Sequence, residues 1–259
     1  MTPGGGAAVT PGGGVAVTPA RAEEIAANLA DVRARIERAC AAAGRPFATV
    51  RLLAVTKTFP AVDVAVLMDL GCTDLGEARE QEATAKVAEV AELRPGSHPR
   101  WTVLGRLQRN KARAVARWAH EVQSVDSFRL LDALSRASGA ALEAGERSED
   151  LDVLLQVSLD SDPARGGCPV DEIEALAERA AGAGHLRLRG LMAVAPVGFD
   201  ADVALARLAE VAERTRAAHP EAVELSAGMS GDLEQGIRHG STCVRVGTAL
   251  LGPRPITSP

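Results

Sequence analysis

Tyrosine is absent from this chain of 259 residues, which has only four phenylalanines and two tryptophans. Its core must therefore be aliphatic, built from the Ala, Val and Leu that carry most of the 46% hydrophobic content, and aromatic platforms on which nucleic-acid bases could stack are scarce. A formal net charge of −5 and a pI near 5.6 give no global field to attract nucleic acid or an anionic membrane. The four cysteines, Cys40, Cys72, Cys168 and Cys243, are far apart and form no CxxC pair, which argues against a zinc site or a disulfide framework and fits a reducing cytoplasm. None of the five histidines falls in an HxH or HExxH spacing, so no metal is expected. No stretch approaches the roughly 18 unbroken apolar residues of a membrane span, and the N-terminus lacks the basic-then-apolar pattern of a signal peptide.

Lysine is scarce too. Among 29 basic residues only Lys57, Lys86 and Lys111 are lysines. Lys57 closes the apolar run Arg51-Leu-Leu-Ala-Val-Thr-Lys57, which reads as a buried strand. Alternation puts Leu53, Val55 and Lys57 on one face and Leu52, Ala54 and Thr56 on the other, so an ammonium lies in line with core residues. Arginine keeps its charge almost anywhere, whereas a partly buried lysine can lose its proton and attack an aldehyde. Lys57 is thus either a Schiff-base lysine or a strand-end lysine whose stem packs and whose head reaches water.

From the N-terminus, Thr2 to Pro19 is an eight-residue Pro/Gly repeat with nothing to build a core, expected to be a disordered tail over residues 1–19. Thr18 then reads as an N-cap with Pro19 at the first helical position, and Ile25, Leu29, Val32 and Ile36 follow at helical spacing up to Gly44. Beyond it, strands are expected at Arg51–Lys57, Cys72–Leu75, Trp101–Gly105, Glu121–Ser124, Asp152–Leu159, Leu186–Ala193, Val223–Ser226 and Cys243–Val246. Helices between them are expected at Val62–Leu70, Glu77–Ala91, Gln108–Trp118, Ser127–Ala144, Val170–Ala181, Ala201–Ala218 and Leu233–His239, with a short turn after Gly247. Eight βα units predict a (β/α)8 TIM barrel, an α/β fold over residues 20–259 as a single domain with an extra N-terminal helix; a doubly wound open sheet is the alternative. In a barrel the active site lies at the C-terminal strand ends, where Lys57 stands.

A second stretch, Leu225-Ser-Ala-Gly-Met-Ser-Gly-Asp232, runs from a strand into small residues where a helix must begin. Ser226, Gly228 and Ser230 let backbone approach a ligand closely, and free N–H groups there suit phosphate. Val244-Arg-Val-Gly-Thr248 repeats the device after the eighth strand, and barrels often bind phosphate between the loops after strands seven and eight. Ordinary helix capping is the competing reading of either turn. An amine and a phosphate cradle at one barrel mouth suggest pyridoxal 5′-phosphate (PLP), which has an aldehyde for the first and a phosphate for the second.

Here the chain resembles the pyridoxal-phosphate homeostasis proteins, whose fold is similar to the barrel domain of bacterial alanine racemases. The likeness runs from about Arg51 to Arg254 on Ala54-Val-Thr-Lys-Thr-Phe-Pro60, Gly76-Glu77 with Gln81-Glu82, Gly105-Arg-Leu-Gln-Arg-Asn-Lys111, Ser124-Val-Asp-Ser127, Gly190-Leu-Met-Ala193, Leu225-Ser-Ala-Gly-Met-Ser230 and Val244-Arg-Val-Gly-Thr248. It implies that Lys57 carries PLP as a Schiff base, that Ser226 and the Gly247-Thr248 amides hold its phosphate, and that Arg245 faces the pyridine ring. The cofactor-binding set it implies is Lys57, Ser226, Met229, Ser230, Arg245, Gly247 and Thr248. The chain departs from the family at Ala78, Arg106, Ala227 and Leu251, where relatives have Asn, His, Met and Phe, and Arg165 stands where they often have lysine.

Three features read as ordinary surface. Arg106, Arg109, Lys111, Arg113 and Arg117 form a solvated helix face rather than a nucleic-acid patch, and Lys86 pairs with Glu82 at i,i+4 spacing. The histidines are loop or helix-end residues. Two functions from different classes follow: a PLP carrier without substantial turnover, serving PLP-requiring apo-enzymes as a cytoplasmic monomer, or a PLP-dependent amino-acid racemase. A two-base racemase needs an acid/base on each face, and alanine racemases supply the second as a tyrosine from another domain. With no tyrosine and no second domain, the carrier is the expected reading.

Overall fold

A computed structural model of the chain describes residues 17–160, 162, 165–196 and 198–253. The Pro/Gly repeat expected to be disordered lies, up to residue 16, outside the described residues. Strands β1 (Arg51–Val55), β2 (Asp74–Glu77), β3 (Arg100–Val103), β4 (Glu121–Val125), β5 (Leu151–Gln156), β6 (Leu186–Met192), β7 (Glu224–Ser226) and β8 (Cys243–Val246) follow one another around a closed barrel. Every pairing is parallel, and β8 closes onto β1 with Leu53 opposite Arg245. The (β/α)8 barrel is thus the fold, and the open sheet is excluded.

The connecting helices are α2 (Ala61–Asp69), α3 (Glu80–Leu93), α4 (Ala112–Val115), α5 (Phe128–Glu143), α6 (Ile173–Ala181), α7 (Ala201–Ala218), α8 (Leu233–Arg238) and α9 (Thr248–Leu251), after an N-terminal α1 (Pro19–Ala42). Thr18 caps α1 by accepting from the Arg21 N–H at 3.3 Å. Ile25, Leu29, Val32 and Ile36 of α1 are buried in one cluster with α2, α8, β1 and β8. Arg21 donates to Asp63 of α2 at 2.8 Å and to the Leu251 carbonyl at 2.9 Å, and Asn28 donates to the Leu250 carbonyl at 3.0 Å. The extra helix therefore satisfies the carbonyls at the end of α9, which have no partner within so short a helix, and braces the turn that carries Thr248.

Several expected bounds shift: Glu77, expected to open a helix, closes β2, and the strand expected to reach Leu159 ends at Gln156. Two further differences concern the site and its surroundings. The first strand ends at Val55, leaving Lys57 in the loop just past it. The helix expected over Gln108–Trp118 is a 3₁₀ turn at Arg109–Lys111 followed by the single turn α4. Only Ala112 and Val115 of these elements are buried, too little apolar surface to stabilise a longer helix.

Charged residues near the strand starts close the other end of the barrel. Arg51 donates to Asp74, Glu121 and Glu224; Arg100 reaches Glu121 and Asp152; Arg187 reaches Asp152 and Arg189 reaches Glu224. Burial, with the nearby Glu121 carboxylate, raises the Glu224 carboxyl above its ordinary range, outweighing the pull of Arg51 and Arg189. An acid whose folded pKa is raised contributes stability present below its unfolded pKa and lost as pH rises through the folded one. Glu224→Gln is thus expected to reduce the fall in melting temperature between pH 5 and pH 7.5; an unchanged pH slope would refute this.

Candidate functional site

At the C-terminal mouth a cavity of 380 Å³ opens between the ends of β1, β6, β7 and β8. Lys57, Met229, Ser230, Arg245, Gly247 and Thr248 line it, with Val55, Leu104 and Met192 as apolar wall. Six of the seven residues singled out from the sequence thus meet around one space. The seventh, Ser226, is fully buried beneath it.

Lys57 is half-buried and shares the inward face with Val55, as strand alternation requires. The next residue, Thr58, has φ +68°, a conformation that a β-branched side chain rarely adopts and that costs about 1–3 kcal/mol. Such strain concentrates at functional sites, and nothing in the sequence signalled it.

Behind the strand, on the outward face, lies a buried ion pair. Lys86 of α3 donates from Nζ to the Thr56 carbonyl at 2.8 Å and to Glu77 Oε1 at 2.7 Å, and Thr56 Oγ1 donates to the same Glu77 oxygen at 2.6 Å. This corrects the expected surface pair with Glu82, which instead accepts from Arg79. The i,i+4 rule sees only one helix, and Glu77 comes from the neighbouring strand. The network clamps the carbonyl one peptide before Lys57.

Arg245 projects from β8 into the barrel and is 5% exposed. Its Nη1 donates to Ser226 Oγ at 2.8 Å and its Nη2 to the Ala193 carbonyl at 2.7 Å. Ser226 Oγ donates to Gln123 Oε1 at 2.7 Å, and Gln123 Nε2 donates to Glu121 Oε1 at 2.5 Å. A polar chain therefore runs through the barrel from the mouth to the charged residues at its other end. Gln123 was missed because its neighbours in sequence read only as a strand. Ser226, expected on the phosphate, has its hydroxyl engaged under the guanidinium, so it orients Arg245 instead of lining the cavity.

Burial presses Arg245 below its ordinary pKa. Among the described residues no carboxylate stands within ion-pair distance of it. A buried cation without a counter-charge is costly, and here it borders a cavity, which suits a ligand with a hydrogen-bond acceptor at that point.

The loop after β7 turns at Gly228, whose φ of +89° favours glycine, and a Cβ there would come within 3.1 Å of the Leu233 backbone. The Met229 N–H is held by Asp232 Oδ1 at 2.6 Å. The next two N–H groups, of Ser230 and Gly231, have no acceptor among the described residues, and the first turn of α9 brings the Thr248 N–H to the same cavity. Ser230 Oγ accepts from the Ala249 N–H at 3.4 Å and joins the two turns. These groups can receive a phosphate-sized anion, with an amine and a guanidinium opposite.

The alanine racemase N-terminal domain family matches residues 27–255 of the chain. The pyridoxal phosphate homeostasis protein of Mycobacterium tuberculosis is 50% identical over 251 residues, covering 92% of this chain and 96% of that protein. PipY of Synechococcus elongatus, solved with PLP bound, superposes with a TM-score of 0.75 at 33% identity over 88% of this chain and 100% of its own. Alanine racemase of Clostridium difficile superposes with a TM-score of 0.66 at 16% identity, over 91% of this chain but 58% of the racemase, a likeness of fold alone. With the barrel, the cavity and these relatives together, the chain belongs to the pyridoxal phosphate homeostasis protein family, on the alanine racemase N-terminal fold.

Proposed function

We propose that this chain binds pyridoxal 5′-phosphate in the mouth cavity, anchors it covalently on Lys57, and holds it for PLP-requiring apo-enzymes without turning a substrate over. The observation that carries this reading is the meeting around 380 Å³ of one amine, one buried guanidinium with no carboxylate partner among the described residues, and N–H groups with no acceptor among them, a volume within the roughly 300–1,000 Å³ of small-molecule pockets. When bound, PLP supplies an aldehyde that condenses with an amine and a ring that can act as an electron sink.

This chain's own residues do the rest. The amides of Ser230, Gly231, Gly247 and Thr248 take the phosphate, with Met229 beside them. Arg245, held by Ser226 and the Ala193 carbonyl, would donate to the ring nitrogen. A guanidinium has no proton-accepting site, so Arg245 would favour an unprotonated ring nitrogen and a weaker electron sink. Val55, Leu104 and Met192 cover the apolar face. The protein acts as a cytoplasmic monomer in this reading.

The racemase reading lacks a residue. Apart from Lys57, the described residues that line the cavity include no His, Asp, Glu, Cys or Tyr, so none of them offers a proton carrier for the second face. Incubation with either alanine enantiomer is expected to give turnover far below about 1 per second, the low end of ordinary kcat values. Racemisation at or above that rate, followed by chiral chromatography, would overturn the carrier reading.

A further inference from the structure

Beside the cofactor cavity lies a wider open groove of 1270 Å³ between the loops after β2, β3 and β4. The segments Glu80–Glu82 and Arg106–Lys111 form much of its wall, and Gln81-Glu82 and Arg106–Lys111 belong to motifs noted in the sequence. The proposed function uses neither of them. The loop after β3 contributes to both spaces, Leu104 to the cavity and Arg106 to the groove.

The groove is cationic on an acidic protein. Arg79, Arg106, Arg109, Lys111, Arg129 and Arg136 line it against Glu80, Glu82 and Asp126, while the chain carries a formal net charge of −5. Arg79 and Lys111 are paired with Glu82 and Glu80. Arg106, Arg109, Arg129 and Arg136 are exposed and have no carboxylate within ion-pair distance among the described residues. Ala133 is partly exposed on the floor, and with the edges of the buried Leu107 and Leu130 it gives a small aliphatic strip.

We propose that this groove docks an acidic, leucine-bearing segment of a second protein, the one that receives the cofactor. Only the partner's role as recipient rests on the proposed function; the groove's chemistry does not. The volume exceeds the roughly 300–1,000 Å³ of small-molecule pockets. Guanidinium forks bind carboxylates in pairs, and the aliphatic floor takes the apolar side chains between them. Single-stranded nucleic acid fits less well, because among the described residues no aromatic one lines the groove to stack a base and Asp126 repels a continuous polyphosphate. A segment seated here would rest on the loop after β3, the same loop that sends Leu104 into the wall of the cofactor cavity.

The test is fluorescence anisotropy on the full chain, with a labelled peptide of about 15 residues carrying Glu and Leu at helical spacing. Binding is expected at ~50 mM salt and to weaken at ~300 mM. Arg106→Glu with Arg109→Glu should weaken it at least about tenfold, whereas Arg207→Glu with Arg216→Glu, exposed on α7, should leave it unchanged. If the first variant does not fold, Arg129→Gln with Arg136→Gln on the exposed face of α5 gives the same reading. Absence of binding, equal loss in the α7 variant, or tighter binding of oligo-dT would each overturn the docking surface. Cofactor absorbance in the same samples is a separate readout. Peptide binding by a protein that takes up no PLP would sink the proposed function and leave the groove standing, and the reverse would sink the groove alone.

Discussion

Lys57→Ala is expected to abolish covalent attachment of PLP, and with it the visible absorption of the bound cofactor, because no other lysine can take its place. Lys86 is buried behind β1, with its ammonium on Thr56 and Glu77, and Lys111 lies in the neighbouring groove, paired with Glu80 at 3.2 Å. Non-covalent retention through Arg245 and the phosphate turns should persist at lower affinity. Because Lys57 sits past the end of its strand and is half-buried, stability should change by no more than about 1 kcal/mol. The measurements are an absorbance titration with PLP and a melting curve of the same samples. A visible band of wild-type intensity in the variant would remove Lys57 from its assigned role.

Lys86→Met is expected to have the largest effect on stability of any single change near the site. It leaves Glu77, 1% exposed, as a buried carboxylate without its cation, and breaking one side of a buried pair costs about 3–5 kcal/mol. For a domain of this size each kcal/mol lowers the melting temperature by about 2–4 °C, so a drop of roughly 10 °C should follow. Glu77→Leu with Lys86→Met should recover much of it, since an apolar replacement of both partners removes the orphaned charge. Cofactor retention should fall in the single variant as well, because the Thr56 carbonyl that Lys86 holds is one peptide from Lys57. A shift below about 2 °C in the single variant would mean that water reaches Glu77 and that the clamp is not structural.

Much of this was legible in the residues. The eight strands were found because alternating apolar runs and helical spacings leave few other folds open. The inward face of the first strand, and the meeting of Lys57 with the Ser230 and Thr248 turns, followed from strand alternation and the barrel's polarity. What stayed hidden depends on pairs distant in sequence. Lys86 reads as a helix-surface residue until β2 brings Glu77 beneath it. Ser226 reads as a phosphate ligand until Gln123, 103 residues away, is seen holding its hydroxyl. The charges at the barrel's closed end, such as Arg51 with Glu224, are separated by 173 residues, and no local pattern links them. Thr58 was hidden for another reason: its positive φ is imposed by the surrounding loop against its own preference.

The central claim is that one amine, on Lys57, holds the cofactor. Borohydride reduction of the PLP-loaded protein followed by peptide mass mapping tests it most directly. The account predicts a pyridoxyl adduct on the peptide containing Lys57 and none on those containing Lys86 or Lys111; label on either of those two, or on no lysine at all, would contradict it.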